Sequence, residues 1–364
     1  MTAGTLADLL RQELEPIRFV VDGLICEGLT ILAGKPKLGK SWLALGIALA
    51  VCAGHEVLGF PSVAGEVLYI ALEDGERRLQ DRVRVLGGQH LGAALASFNY
   101  STDWEKFTRG GIDQLAEWMR EHPATRLIIV DTYGKARGPL PGRDRYQEEY
   151  ELVGKLQSFA VEYRVAVVLI HHLRKEGADD WLEQLSGSQA LTGAADTLLG
   201  LFRERGQMDA TLRLVSREID EKDLALRFDR GRWEAMGDAA IYRQSVERME
   251  VLRALEDLGG EARVAEVAQL VEKTSANVSK MLVALSHEGI VKRARRGVYT
   301  LVDSVDTVEN EPSVSTQSTI STGGVDQGEP KRLCLLCGER LDPALGDADM
   351  HPSCDLPDPW EGAR

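Results

Sequence analysis

Between residues 18 and 233 the chain alternates short apolar runs with helical stretches. The runs are LTILA, EVLYIAL, SFNYS, RLIIVD and VAVVLI, followed by TLLGLF, ATLRLVS and LALRFD. Segments of helix length separate the first five, which is typical of crossover connections in a parallel sheet with helices on both faces. The last three follow through short connections, so we expect them to extend the edge of the sheet as antiparallel strands. The pattern predicts an α/β core over residues 16–235.

The pattern changes after residue 243. Three helical segments (ERMEVLRALEDL, ARVAEVAQLVEK and SANVSKMLVALSHEG) precede IVKRARRGVYTLV, which resembles a two-strand hairpin with a basic turn. These segments predict a small second domain over residues 243–302. Residues 303–332 are rich in Ser, Thr, Gly, Val and acids without periodicity, and we expect a disordered linker there. Residues 333–358 hold a cluster of Cys and His.

Composition agrees with this division and limits the function. A chain of 364 residues that is 44% hydrophobic has room for one large and one or two small domains. No apolar run approaches the roughly 20 residues of a membrane span, and the start, MTAGTLADLLRQELEP, is unlike a signal peptide. We therefore expect a cytoplasmic protein with no membrane partner. The net charge of −14 argues against general binding of nucleic acid but allows local basic surfaces.

The segment GKPKLGKS fits the pattern G-x-x-x-x-G-K-[ST] and lies between an apolar strand and an apolar helix. In that context backbone N–H groups cradle the β-phosphate of a nucleotide. Lys40 would reach the β- and γ-phosphates of ATP, and Ser41 would bind Mg²⁺. A glycine-rich turn at a helix start would not need Lys40. The predicted nucleotide-binding residues are Gly34, Lys35, Pro36, Lys37, Leu38, Gly39, Lys40, Ser41 and Trp42.

A second part of the predicted site is the strand RLIIVDT, whose Asp131 we expect to hold Mg²⁺ through water. Many P-loop ATPases place the water-activating Glu directly after this Asp, but here Thr132 stands there. The general base must therefore come from elsewhere. The strand EVLYIAL ends in Glu73-Asp74, and Glu73 can face the γ-phosphate from that edge. The alternative is a solvated carboxylate at a strand end.

With Glu73 in this position, the sequence resembles the RepA-type hexameric replicative helicases, RecA-like P-loop ATPases of phages and plasmids. The resemblance covers about Pro16 to Trp233. The matching motifs are GKPKLGKS, LYIALEDGERRLQDRVRVLG, LIIVDT, VLIHHLRK, GSQALTGAADTLL and LVSREIDEKDLALRFD. It implies a RecA-like fold with ATP and Mg²⁺ as cofactors, Lys40 and Ser41 as the loop pair, Glu73 as catalytic carboxylate and Asp131 as Mg²⁺ ligand.

The resemblance also implies a histidine that senses the γ-phosphate and an arginine finger. His171 or His172 corresponds to the sensor, and His171 is favoured because it directly ends its strand. Arg217 corresponds to the finger that reaches a neighbour's nucleotide, with Arg203 or Arg205 as rivals. Packing histidines and a salt-bridged surface arginine are the ordinary alternatives.

Two segments are candidates for contact with single-stranded DNA. The first, TYGKARGPLPGRDRYQEEY, combines Gly and Pro, which predict an irregular loop, with cations that suit the phosphates of a tracked strand. The second, RKEGADDWLEQLSGS, has two cations and Trp181 but also several acids. Ordinary surface loops are the alternative for both. The DNA-binding residues predicted in the first segment are Lys135, Arg137, Arg143 and Arg145.

Residues 243–302 resemble a winged-helix domain. TSANVSKMLVALSHEG would be the recognition helix, capped by Thr274 or Ser275, and a basic wing would contact the backbone of duplex DNA. Winged helices also dock proteins, and the first helix here is acidic. The wing cations are Lys292, Arg293, Arg295 and Arg296.

The cysteines divide into two groups. Cys26 and Cys52 lie in apolar surroundings and are most simply buried thiols. The other three join a histidine in two short chelating pairs that suit a tetrahedral, structural Zn²⁺ site. The predicted zinc ligands of this knuckle are Cys334, Cys337, His351 and Cys354.

Together these features predict an ATP-hydrolysing motor: a RepA-like helicase of a mobile element that acts in DNA replication as a homo-oligomer, expected to be a hexameric ring on single-stranded DNA. One alternative is an ATP-gated DNA-binding regulator or helicase loader that does not translocate. Another is a RecA-like recombination ATPase that forms filaments on DNA.

Overall fold

The computed structural model describes residues 4–140, 142–173, 189–203 and 209–302. Residues 4–302, with the gaps given, contain all of the described helices and strands. Residues 303–364, with the predicted linker and zinc knuckle, lie outside the described residues.

Fourteen strands are formed by the described residues. They are β1 (Phe19–Val21), β2 (Ile25–Cys26), β3 (Gly28–Gly34), β4 (Glu66–Ala71), β5 (Phe98–Ser101), β6 (Thr125–Asp131), β7 (Ala166–His172), β8 (Thr197–Phe202), β9 (Asp209–Ser216), β10 (Lys222–Asp229), β11 (Arg232–Asp238), β12 (Glu261–Arg263), β13 (Val291–Arg295) and β14 (Val298–Leu301). The main sheet has nine of these strands, in the spatial order β11-β10-β9-β8-β3-β7-β6-β4-β5. The first two strands pair with each other in a small hairpin.

Six neighbouring strands of the main sheet, from β8 to β5, run parallel, and β9, β10 and β11 extend it antiparallel at one edge. The prediction that TLLGLF joins an antiparallel edge was therefore wrong in part, because this strand, β8, is parallel to β3. The physical reason is the connection from β7, which runs from residue 173 to 196 and is long enough for a crossover.

The strand β11 has no counterpart in the sequence prediction. It follows β10 through a two-residue turn in which Asp229 pairs with Arg232. Arg230 and Gly231 both have positive φ, 44° and 90°, as a type I′ hairpin turn requires. This hairpin places Trp233 on β11, the outermost strand of the antiparallel edge.

Helices cover both faces of the sheet. The helices of this part are α1 (Leu6–Leu9), α2 (Lys40–Ala53), α3 (Glu76–Val85), α4 (Gly111–Glu121), α5 (Tyr133–Arg137), α6 (Arg145–Glu162) and α7 (Gln189–Ala194). Side chains alternate along each strand, so Leu32 packs in the core beneath α2, whereas Ile31 packs in the core beneath α4 and α6. This arrangement confirms the predicted α/β fold, a mostly parallel sheet with helices on both faces.

A compact group of helices and strands follows the main sheet. It contains α8 (Ala239–Asp257), β12, α9 (Val264–Leu270), α10 (Ser275–His287), β13 and β14, and its strands form a sheet in the order β12-β14-β13. Thr274 caps α10, the predicted recognition helix, by accepting from the backbone N of Asn277. This topology confirms the winged helix, although the short strand β12 was not predicted. Within the described part of the chain, no helix is long and apolar enough to cross a membrane.

Candidate active site

The predicted phosphate loop joins the end of β3 to the start of α2 at the carboxyl edge of the parallel strands. Two of its glycines are required by the geometry. A Cβ on Gly34 would lie 2.6 Å from the carbonyl oxygen of Leu201, and Gly39 has a φ of +100°, a conformation that other residues rarely adopt. The loop can therefore bring its backbone close to a phosphate group.

Lys40, at the first position of α2, is buried with 3% exposure. Its Nζ donates to the carbonyl oxygens of Gly34, at 2.7 Å, and Lys35, at 2.9 Å. Burial lowers the pKa of Lys40 to about 8, and the negative charges of Asp131 and Glu73 oppose that shift. Lys40 is thus a cation at neutral pH that a phosphate can stabilise further.

Asp131 ends β6 and is almost fully buried. Its Oδ2 accepts a hydrogen bond of 2.9 Å from the hydroxyl of Tyr69. Burial raises its pKa, and the hydroxyls of Ser41 and Tyr69 oppose the shift. Its other oxygen, Oδ1, is buried without a hydrogen-bond partner among the described residues. A carboxylate oxygen without a partner beside the Ser41 hydroxyl offers the hard oxygen ligands that Mg²⁺ prefers, so the residues present fit this ion.

Glu73 follows β4, which does not border β3: β7 and β6 lie between them. Because β4 pairs with β6, its end lies beside Asp131, and the backbone N of Glu73 donates to the Asp131 carbonyl oxygen at 3.2 Å. The Oε1 of Glu73 accepts from the hydroxyl of Thr132 at 3.2 Å. The carboxylate is 37% exposed. Thr132 stands where many P-loop ATPases have the water-activating Glu. Its hydroxyl thus orients Glu73, which follows the neighbouring strand β4.

The two histidines at the end of β7 face opposite sides of the sheet. His172 is paired with Gly34 of β3, the strand that leads into the phosphate loop. Its Nδ1 lies 3.0 Å from the Nζ of Lys40. Its Nε2 lies 3.4 Å from the Oε1 of Glu73. The ring of His171 instead lies against Tyr133, with centroids 6.2 Å apart. His172 is therefore the histidine that lies between Lys40 and Glu73, whereas the sequence favoured His171.

An ion-pair cluster behind Glu73 was not predicted. Asp74 is buried and accepts hydrogen bonds from Arg78, at 3.0 Å, and from Arg82. The guanidinium of Arg82 also lies 5.2 Å from the ring centroid of Trp42, on α2, the helix that follows the phosphate loop. The cluster joins α3 to α2 and fixes the segment that carries Glu73. The spacing of Asp74, Arg78 and Arg82 at intervals of four residues is a signal that could have revealed it.

Trp233 supports the loop from the antiparallel edge. Its Nε1 donates a 3.0 Å hydrogen bond to the carbonyl oxygen of Gly39. The guanidinium of Arg203 lies 5.0 Å from the ring of Phe228 and 5.6 Å from that of Trp233. Arg203, a rival for the arginine finger, is thus engaged by aromatic rings of its own chain, and Arg205 lies outside the described residues.

Arg217 lies at the opposite edge of the sheet from the loop. It follows Ser216, which pairs with Thr197 at the start of β8, whereas the loop follows the end of the parallel neighbour β3. Its guanidinium lies 3.6 Å from Asp196 and donates to the Gly193 carbonyl oxygen at 3.2 Å.

The first candidate DNA segment is more ordered than predicted. It begins with α5, in which Tyr133 and Ala136 are buried, rather than with an irregular loop. Arg137 donates a 2.9 Å bond to the buried Glu149, so its charge is already balanced. The other predicted cations of this segment, Lys135, Arg143 and Arg145, are exposed.

The wing has the predicted basic surface: Lys292, Arg293, Arg295 and Arg296 are all exposed. Arg295 lies 3.7 Å from Glu261 of β12.

The second candidate segment for single-stranded DNA lies outside the described residues, and so do its Arg174, Lys175 and Trp181. So do the four predicted zinc ligands; within the described ranges, no group of three or more His, Cys, Asp or Glu side chains could hold a metal ion.

Residues 1–178 match the family model of an AAA domain, and residues 246–295 match that of an IclR helix-turn-helix domain. With the loop, Lys40 and Asp131 in place, the protein is an ATPase that carries a C-terminal winged helix. The first match includes β3, β4, β6 and β7, the strands from which the site is built. The second spans most of the winged helix.

Two solved structures are similar to part of the chain. One is described as an "ATPase Domain"; it is 16% identical, with a TM-score of 0.46, over 57% of this chain and 84% of that chain. The other is described as "The Structure Of A DnaB-Like Replicative Helicase And Its Interactions With Primase"; it is 17% identical, with a TM-score of 0.47, over 57% of each chain. The present chain thus spans little more than half of that helicase.

Proposed function

We propose that the protein is an ATP-driven DNA motor, a RepA-like replicative helicase of a mobile element that moves on single-stranded DNA. The observation that carries the proposal is the meeting of Lys40, His172, Glu73 and Asp131 at one edge of the sheet. These residues come from three neighbouring strands and the loop helix. Such a site both hydrolyses ATP and contains a link between strands that can respond to the γ-phosphate.

In the proposed reaction, Glu73 takes a proton from a water molecule as the water oxygen attacks the γ-phosphorus. The bond from that phosphorus to the bridging oxygen breaks, and ADP leaves with the electron pair. Lys40 stabilises the negative charge on the phosphate oxygens. Ser41 and Asp131 would hold Mg²⁺, which supplies charge neutralisation to the β- and γ-phosphates when bound. Thr132 and the Asp74 cluster keep Glu73 in position.

His172 is proposed as the group that detects the γ-phosphate. At neutral pH the Lys40 ammonium can only donate, so Nδ1 of His172 accepts from it and Nε2 carries the proton that faces Glu73. A γ-phosphate would compete for Lys40 and for His172 together. When the phosphate leaves, His172 again contacts Lys40 and Glu73. The position of the end of β7, which carries His172, would therefore depend on whether the γ-phosphate is present.

DNA contact is proposed at two surfaces. The exposed cations Lys135, Arg143 and Arg145 would bind phosphates of a single strand without reading its bases. The wing, with its four exposed cations, would bind the backbone of a duplex while α10 enters the major groove. Arg137 contributes less than the sequence suggested, because Glu149 pairs with it.

Ring assembly is proposed from the place of Arg217. Since this arginine lies away from the loop of its own chain, it would complete the site of a neighbouring subunit, and a closed hexameric ring supplies every site with one.

The C-terminal Cys and His residues are proposed as a structural zinc knuckle. Metal analysis of the purified protein should find one Zn²⁺ per chain, and none after Cys334→Ser and Cys337→Ser are combined.

The test of this proposal is ATP turnover with and without single-stranded DNA. A motor should be stimulated by the DNA, and replacement of Lys135, Arg143 and Arg145 by Gln should remove the stimulation while basal turnover remains. Replacement of the four wing cations is the matched control and should leave stimulation by single-stranded DNA intact. An ATP-gated regulator or loader would instead show slow turnover that DNA does not change. A recombination ATPase would form filaments on DNA in negative-stain images.

A further inference from the structure

A cavity of about 470 Å³ lies beside the phosphate loop. Lys35 and Leu38 of the loop line one side, and the end of β8, the start of β9 and Ala225 of β10 also line the cavity. The other side is the beginning of α8, where Tyr242, Arg243 and Val246 line the space. The cavity is therefore bounded by the loop on one side and by the helix that leads into the winged helix on the other.

Helix α8 belongs to two packed regions. Its 19 residues give it a length of about 28 Å. Near its start, the Tyr242 hydroxyl donates to Asp209 at 2.8 Å and accepts from Arg227 at 2.7 Å, so this turn is attached to β9 and β10. Its second half supplies Val251 and Leu255 to the core of the winged helix. A displacement of the first turns would be carried along the helix.

The lining of the cavity suits a nucleoside. Leu38, Phe202 and Val246 offer apolar surface for a planar base. Arg203, Arg243 and Asp209 provide donors and acceptors for the polar edge of a base and for a ribose. Because Lys35 and Leu38 belong both to the loop and to the cavity lining, a nucleotide with its phosphates in the loop could reach this space with its nucleoside.

We propose that the base and ribose of the bound nucleotide occupy this cavity and contact α8, so that nucleotide binding restrains the helix that carries the winged helix. The inference rests on the proposed binding of ATP phosphates by the loop. By linkage, an event that moves the winged helix changes nucleotide affinity to the same extent. Communication between the ATPase site and the winged helix then needs no contact beyond α8.

Hydrogen exchange of the full chain tests this with two ligands that share the phosphates and differ in the nucleoside. ADP and inorganic tripolyphosphate should both slow exchange at residues 34–43. Only ADP should slow exchange along residues 239–257, by about tenfold or more in the first turns. Equal exchange of α8 with the two ligands, while the loop is protected by both, would overturn the inference. Failure of both ligands to protect the loop would count against the proposed ATP site instead.

A variant pair gives a second measurement. Val246→Trp fills the cavity and should weaken ADP binding by about 10- to 100-fold while tripolyphosphate binds as before. Met249→Trp, at an exposed position of the same helix, is the matched control and should bind both ligands normally. Unchanged ADP affinity in folded Val246→Trp would contradict the proposal. If that variant fails to fold, the exchange experiment on the unaltered chain decides.

Discussion

The Nδ1 of His172 lies 3.0 Å from the Nζ of Lys40. This contact joins the loop helix to the end of β7, and the Nε2 of the same ring faces Glu73. One side chain therefore touches both the cation that binds phosphate and the carboxylate proposed to activate water. The first prediction follows from this position.

His172→Ala should lower ATP turnover by about 10- to 100-fold, as expected for loss of a hydrogen bond to a charged group. His171→Ala, one residue earlier on the opposite face, is the matched control and should retain turnover close to that of the unaltered protein. Steady-state kinetics of both variants, with thermal unfolding to show that each is folded, checks this. Equal losses in the two variants would contradict a particular role for His172.

Glu73→Gln should keep ATP binding and lower hydrolysis by about 10²- to 10⁴-fold, because the amide cannot accept the proton of the attacking water. Thr132→Val, which removes only the hydroxyl that orients Glu73, should have a smaller effect in the same direction. Binding is measured by titration calorimetry and hydrolysis by phosphate release. Hydrolysis at the normal rate in Glu73→Gln would place the base elsewhere.

Nucleotide affinity should fall as the pH rises above about 8, by roughly tenfold per pH unit. Burial lowers the pKa of Lys40 to about 8 from its ordinary 10.5, and phosphate favours the protonated form, so binding at higher pH must take up a proton. Calorimetry of ADP binding in buffers of different ionisation enthalpy measures that uptake. Lys40→Arg keeps a permanent charge and should show no such uptake.

The stability of the folded protein depends on pH in the opposite direction from its nucleotide affinity. Between about pH 8 and 10.5 the unfolded chain binds more protons at this lysine than the folded protein does. The contribution of Lys40 to the free energy of unfolding therefore rises with pH in that window. An ADP affinity that stays constant from pH 7 to 9 would contradict the low pKa of Lys40.

Arg217→Ala should abolish most ATP turnover, yet mixing its subunits with Glu73→Gln subunits should restore part of it. In a mixed assembly some sites combine the intact Glu73 of one chain with the intact Arg217 of its neighbour. Turnover is measured across mixing ratios. Arg213→Ala, on β9 just before Arg217 and paired with Asp223, is the control and should stay active alone. Absence of recovery at every ratio would count against an arginine acting in trans.

The sequence predicted the loop, Asp131 and Glu73 because each of them stands at the end of a strongly apolar strand. It did not distinguish His171 from His172, since the choice depends on which face of β7 meets the loop helix. That face follows from the pairing of β7 with β3 and is not contained in the local pattern. The sequence also placed no strand at β11, and hence did not predict that Trp233 would bond to Gly39.

Long-range pairing explains the other differences. TLLGLF looks like an edge strand, but the long connection before it allows β8 to join the parallel sheet beside β3. The segment after Asp131 looks irregular because of its Gly and Pro, yet burial of Tyr133 and Ala136 stabilises a short helix at its start. Charge counting alone could not show that Glu149 pairs with Arg137.

Unwinding of a forked duplex, followed in the same reaction as ATP turnover, tests the central claim most directly. The proposed motor should separate the strands with ATP and the unaltered protein, and Glu73→Gln should bind the fork without separating it. Turnover by the unaltered protein that proceeds at full rate on the fork while the strands stay paired would contradict the claim that this ATPase drives a helicase.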